Sequence, residues 1–160
     1  MQRIDITSAQ EMHAKVHEHL AAADIFIGVA AVADYRPASP EEQKIKRHLK
    51  ADEDVKLSLI ENPDIIASVV RAKQAKVVVG FAAETHDTLQ NARDKRVRKG
   101  LDAIVVNDVS DQSIGFNSRD NEVTLIHEGG DIHFGKQSKT AIAQQLIEQV
   151  VELFAAKIEL

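Results

Sequence analysis

The chain has 160 residues, 44% of them hydrophobic and 28% charged, with a formal net charge of −5. That length suits one globular domain whose core needs no staples, and the absence of cysteine excludes disulfides, thiolate metal sites and thiol nucleophiles. The negative balance offers nothing global to attract a polyanion, so neither nucleic acid nor an anionic membrane is an expected partner, and a phosphate ligand would need a local cationic cluster. No run approaches the roughly 18 apolar residues of a membrane span and no signal-peptide pattern opens the chain, which makes a soluble cytoplasmic protein the expectation.

Ser8-Ala-Gln-Glu11 is a capping-box pattern, and Met12, Val16 and Leu20 recur every fourth residue behind it, so the chain opens on an amphipathic helix. Ile25 to Ala30 then reads as a buried strand, stopping in small residues, an acid and the Tyr35-Arg36-Pro37 sequence. A long stretch without regular period, Ala33 to Asp54, carries Lys44-Ile-Lys-Arg47, and loops of that length serve as lids or binding loops. Val55 to Ile60 alternates like a half-buried strand. In Asn62-Pro63-Asp64 the Asn can cap, the Pro can take the first helical position and the Asp favours the first turn, giving a helix to about Lys73. Val77-Val-Val-Gly-Phe-Ala is a run of the kind covered on both faces by helices. Asp87 to Lys99 reads as a helix and Ala103 to Asn107 as another buried strand. Glu122 to His127 and Asp131 to Phe134, joined across Glu128-Gly-Gly130, form a hairpin. Ser138 opens a last helix with the stripe Ile142, Leu146, Val150 and Phe154. The succession predicts an α/β fold, Rossmann-like and doubly wound, with a mostly parallel sheet closed by a C-terminal hairpin and helix.

Ligands of open α/β sheets sit beyond the carboxyl ends of the strands. There the chain places Ala30, Ala31 and Asp34, then the helix start Pro63 to Ile66, then Phe81 to Glu84, then Asn107-Asp108. Small residues at 28 to 33 serve either tight helix packing or close approach of main chain to a ligand. The amides at 64 to 66 either belong to a well-capped helix or face an anion. Asp64 would repel a phosphate unless a divalent cation lay between them, which points to magnesium. Lys95 and Lys99, four apart, share a helix face, where like charges cost a few tenths of a kcal/mol in an isolated helix. They are either solvated cations near the helix C-terminus or the missing local positive patch. Lys44, Lys46 and Arg47 suit a loop that closes over a phosphoryl group and neutralises developing charge, or a plain solvent loop. His13 and His17 have the spacing of a helical metal pair but no third ligand, and read as a solvated face. GxGxxG, GxxxxGK[ST] and GxSxG are absent, which removes the ordinary dinucleotide, P-loop and hydrolase readings.

Taken together, Gly28 to Pro37, Lys44-Ile-Lys-Arg47, Asn62-Pro63-Asp64-Ile65, Val79 to Thr85, Lys95 with Lys99, Asn107-Asp108 and Gly115-Phe-Asn-Ser118 resemble, from about residue 3 to 155, the bacterial phosphopantothenoylcysteine synthetase domain. That domain is in many bacteria the C-terminal half of a bifunctional coenzyme A biosynthesis protein whose other half is a flavin-dependent decarboxylase holding FMN. The resemblance implies a ligase: 4′-phosphopantothenate attacks the α-phosphorus of CTP, giving an acyl-cytidylate and pyrophosphate, and the amine of cysteine then displaces CMP. It implies that Asp34, Lys44, Phe81, Lys95 and Lys99 contact CTP, that Pro63, Asp64, Ile65 and Ile66 surround its phosphates with magnesium, and that Ala30 and Ala31 lie against the phosphopantothenate. Lys44, on a mobile lid of about residues 36–54, would turn over the acyl-cytidylate. A homodimer is also implied.

The family's opening strand and Gly-rich turn have no counterpart ahead of Ser8. The chain therefore reads as a single ligase domain, 1–160, shortened at its N-terminus, and is expected to bind CTP weakly and not to complete ligation alone. A non-catalytic nucleotide-binding regulatory module is the alternative; it would bind CTP without releasing pyrophosphate. A nicotinamide dehydrogenase lacks its glycine fingerprint.

Overall fold

A computed structural model describes residues 2–41, 43, 56–84, 86–108 and 118–158. Its centre is a five-stranded sheet formed by β1 (Ile25–Gly28), β4 (Val77–Glu84), β5 (Ala103–Asp108), β6 (Asp120–His127) and β7 (Gly130–Ser138), in that spatial order. The first three are parallel, and β6 and β7 add to β5 antiparallel. This is the doubly wound α/β layer with a terminal hairpin that the periodicity predicts.

Because side chains alternate across a strand, the inner strands β4, β5 and β6 feed two cores. Val77, Val79, Ala103, Val105, Val123 and Leu125 face one side, under Ile142, Leu146 and Val150 of α4 (Lys139–Leu153) and Ile158 of the short α5 (Ala155–Ile158). Each fully buried Ile, Leu or Val contributes about 1.5–3 kcal/mol. Val78, Ala82, Ile104, Val106 and Ile126 face the other side, where they meet Leu20, Val69, Ala92 and Leu101. That side is roofed by α1 (Ala9–His19), α2 (Ile65–Ala72) and α3 (Thr88–Lys99).

Local signals set the helix ends. The Ser8 hydroxyl accepts from Glu11 N–H and the Ser138 hydroxyl from Ala141 N–H, as N-caps do. The Glu11 carboxylate also reaches back to Thr7, taking both its N–H and its hydroxyl. Gly100, at φ 67°, ends α3 in the left-handed conformation that glycine adopts without strain.

Two expectations are corrected. The alternating segment before Asn62 is not a half-buried strand of the main sheet: β3 (Leu59–Glu61) is exposed and, among the described residues, pairs with β2 (Tyr35–Pro37), antiparallel, in a separate ribbon. Alternation records a strand but not its partner, and its partner lies in the stretch read as irregular. The cap of α2 is Asp64, not Asn62, and Pro63 precedes the helix instead of entering it. The residue before a proline is pushed to extended backbone, so Asn62 stays outside. The segment of the expected lid that carries Lys44, Lys46 and Arg47 lies outside the described residues.

Candidate functional site

Because β1 stops at Gly28 opposite Gly80, β4 runs on beyond it, paired with β5 as far as Glu84 and Asp108. The step between the two strand ends makes a notch at the carboxyl rim of the sheet. Ala30 and Ala31 follow β1 into it and are exposed, as is Asp34.

The first turn of α2 forms one wall. It sits close to the sheet because two glycines pair beneath it: a β-carbon at Gly28 would lie 3.2 Å from Ile66 Cδ1, and one at Gly80 would lie 3.0 Å from the same atom and 2.7 Å from Leu101 Cδ1. The small residue at 28 thus serves helix packing, whereas those at 30 and 31 lie past the strand, open to solvent. Ile65 is buried and Pro63 and Ile66 half-buried. Asp64 caps the helix, its carboxylate accepting from Ala67 N–H at 3.1 Å while its carbonyl takes Ser68 N–H. Ile65 and Ile66 N–H, the first two of the helix, are the donors left to face an anion.

The opposing wall is α3. Lysine side chains lean toward the N-terminus of their own helix, which carries the ammonium groups of Lys95 and Lys99 back toward the notch. Lys99 Nζ meets Asp64 Oδ2 at 2.9 Å, and Lys95 Nζ comes to 3.5 Å from the carbonyl oxygen of Phe81. Partial burial raises the Asp64 pKa, but the hydrogen bond from Lys99, that from Ala67 N–H and the charges of Lys99 and Arg71 outweigh it, and the carboxyl titrates below its ordinary value.

Asp64, Ile65, Ile66, Phe81, Lys95 and Lys99 are therefore linked around one edge of the notch. Ala30, Ala31 and Asp34 are tied to it through the main chain, since Asp34 O accepts from Asn62 N–H at 2.7 Å. Lys44 lies outside the described residues. Asp64 is held by a lysine, not poised for a cation, and among the described residues no three His, Asp or Glu side chains form a metal cluster. The described residues thus supply no protein-built cage for a divalent cation.

Two features escaped the sequence reading. His17, expected on a solvated face, is half-buried, with Nε2 2.8 Å from Ser68 Oγ. That hydroxyl donates to Ile65 O at 2.7 Å, so it accepts from the ring, and α1 is bonded to the first turn of α2. Asn62 and Arg36 join the loop after β1 to the approach to α2. No periodic signal marks such contacts, because both join segments far apart in sequence. Near the end of β5 the Asn107 Oδ1 atom is buried and has no hydrogen-bond partner among the described residues.

The family described as the DNA/pantothenate metabolism flavoprotein C-terminal domain matches residues 1–154. The coenzyme A biosynthesis bifunctional protein CoaBC of Escherichia coli is 40% identical over 158 residues, which is 98% of this chain and 39% of that protein. The chain thus spans about two fifths of the length of that relative. Among solved structures, the C-terminal domain of a CoaBC protein superposes with a TM-score of 0.73 at 27% identity, covering 96% of this chain and 68% of that one. A Cab2 mutant in complex with phosphopantothenate-cysteine also gives 0.73, at 17% identity, covering 98% of this chain and 53% of that one, a likeness of fold.

Proposed function

Since the chain belongs to the DNA/pantothenate metabolism flavoprotein C-terminal domain family and matches the C-terminal region of coenzyme A biosynthesis enzymes, we propose that it is the phosphopantothenate–cysteine ligase domain of such an enzyme. The carboxylate of 4′-phosphopantothenate attacks the α-phosphorus of CTP; a C–O–P link forms, the bond to the β-phosphate oxygen breaks and pyrophosphate leaves. The amine of cysteine then attacks the acyl carbon, loses a proton and expels CMP. FMN belongs to the decarboxylase half that the resemblance implies.

The observation that carries this reading is the convergence of Lys95, Lys99 and the α2 start, from separate stretches of chain, on one notch. A carboxylate approaching a triphosphate is a meeting of anions, so the help it needs is positioning and positive charge. Lys99 would exchange Asp64 for a phosphate oxygen, Lys95 would swing from the Phe81 carbonyl, and Ile65 and Ile66 N–H would receive a further oxygen. Asp34 and Phe81 flank the nucleotide, Ala30 and Ala31 the phosphopantothenate, and Lys44 acts on the acyl-cytidylate. Magnesium, carried in on the nucleotide, would neutralise triphosphate charge near the α2 start at Pro63 and Asp64. The domain works as a homodimer in the cytoplasm.

The protein in its full natural length, given CTP, magnesium, 4′-phosphopantothenate and cysteine, is expected to yield phosphopantothenoylcysteine, CMP and pyrophosphate in equal amounts, read by mass spectrometry. CTP binding with no pyrophosphate under these conditions would instead establish the regulatory module.

A further inference from the structure

Asn62 uses its main-chain N–H and both ends of its side-chain amide to hold two segments together. Its main-chain N–H donates to Asp34 O at 2.7 Å and its side-chain Nδ2 donates to Ala33 O at 2.9 Å. Its Oδ1 accepts from the Arg36 guanidinium at 3.2 Å, and the same guanidinium nitrogen donates to Glu61 O. The partners fix the amide's orientation chemically: a carbonyl can only accept and a guanidinium can only donate. Neither aspartate nor alanine can reproduce the set, since the first has no donor for Ala33 O and the second has neither group. Pro63 holds Asn62 extended, so the side chain is free of the helix and turned to the loop.

The joined segments are those that the proposed ligase site draws on. On one side are Ala33 and Asp34, at the end of the loop that begins with Ala30 and Ala31. On the other, two residues on, is Asp64, bonded to Lys99 and to the first turn of α2. Ile66 over Gly28 seats α2 on β1 but leaves the loop after β1 unheld, and the ribbon along the chain between them has strands of three residues each, too short to be rigid alone. We propose that Asn62, clamped by Arg36, is a positioning residue: it sets the distance between the loop that receives the phosphopantothenate and the helix start that receives the nucleotide phosphates. It touches neither reactant, so it acts on the alignment of carboxylate and α-phosphorus. This role rests on the ligase reading.

The test uses Asn62→Asp and Arg36→Ala, with circular dichroism and urea midpoints to establish folding. In the full-length protein, kcat for phosphopantothenate-dependent pyrophosphate release is expected to fall about tenfold or more in each variant, because misplacement near 1 Å costs up to about a hundredfold. KM for CTP is expected to move less than about threefold, and the double variant to lose little more than either single one, since both cut the same clamp. Hydrogen exchange on the 160-residue chain supplies a readout independent of chemistry: the amide at 62, which still donates to Asp34 O, should exchange about tenfold faster in both variants. Unchanged exchange overturns the proposal, and so does faster exchange with wild-type kcat. If the wild-type protein releases no pyrophosphate from CTP, it is the ligase reading that fails, and the exchange rates alone decide whether the clamp exists.

Discussion

Gly80→Ala is the substitution whose cost the geometry fixes best. The added carbon would stand 2.7 Å from Leu101 Cδ1 and 3.0 Å from Ile66 Cδ1, whereas carbon atoms settle at about 3.5–4.0 Å. Leu101 would have to withdraw by about 1 Å. It is only 4% exposed and has no solvent to move into, so the overpacking costs about 1–3 kcal/mol. Against that, an alanine restricts the unfolded chain and returns about 0.4–1 kcal/mol. From the midpoints of these two ranges the net loss is about 1.3 kcal/mol, or a fall in Tm of about 3–5 °C for a domain of this size. Gly28→Ala meets nothing nearer than 3.2 Å, so the two terms nearly cancel and stability should change by less than about 0.5 kcal/mol. Thermal and urea unfolding of both variants, followed by circular dichroism, checks the ordering. A Gly80→Ala protein as stable as the wild type, or a Gly28→Ala protein that suffers more, would refute the claim that these glycines exist to seat α2 on the sheet.

The pairing of Asp64 with Lys99 gives a pH signature: a carboxyl titrating below its unfolded value of about 3.9 stabilises the fold fully above that pH and loses the contribution as pH falls through the lower, folded value. Asp64→Asn, which keeps the cap, should abolish that part of the acid dependence while costing no more than about 1 kcal/mol at neutral pH, as read by urea midpoints across pH. Lys99→Ala removes a charge-assisted donor and should raise the Kd for CTP with magnesium about tenfold or more by calorimetry; an unchanged Kd would take Lys99 out of the site. Lys44→Gln in the full-length protein should slow conversion of the acyl-cytidylate, which then accumulates in quenched samples; normal intermediate and product levels would remove Lys44 from the mechanism.

What the sequence made legible was local. Ser8 and Ser138 announced their helices because a cap needs only a neighbouring amide, and the runs at Val77 and Ala103 announced buried strands because both faces are covered. The rim residues followed from a rule of topology, not from any single motif. What stayed hidden depends on partners remote in the chain. The exposed ribbon of Tyr35–Pro37 with Leu59–Glu61 needed its pairing to be seen. Asn62 looked like a cap because its chemistry suits one, and only the proximity of Ala33, Asp34 and Arg36 gives it other work. The small residues near 28 admitted two uses, and the structure divides them: Gly28 lies under Ile66, while Ala30 and Ala31 lie in the open.

The central claim is that one notch, walled by the start of α2 and the lysines of α3, receives the phosphates of a nucleotide. Titrating the isotopically labelled chain with CTP and magnesium, and following its amide resonances, tests this most directly even if binding is weak. The account predicts shifts gathered at residues 30–34, 64–66 and 81 and around Lys95 and Lys99. Shifts confined to the opposite end of the sheet, near residues 73–76 and 127–131, or none at millimolar ligand, would contradict it.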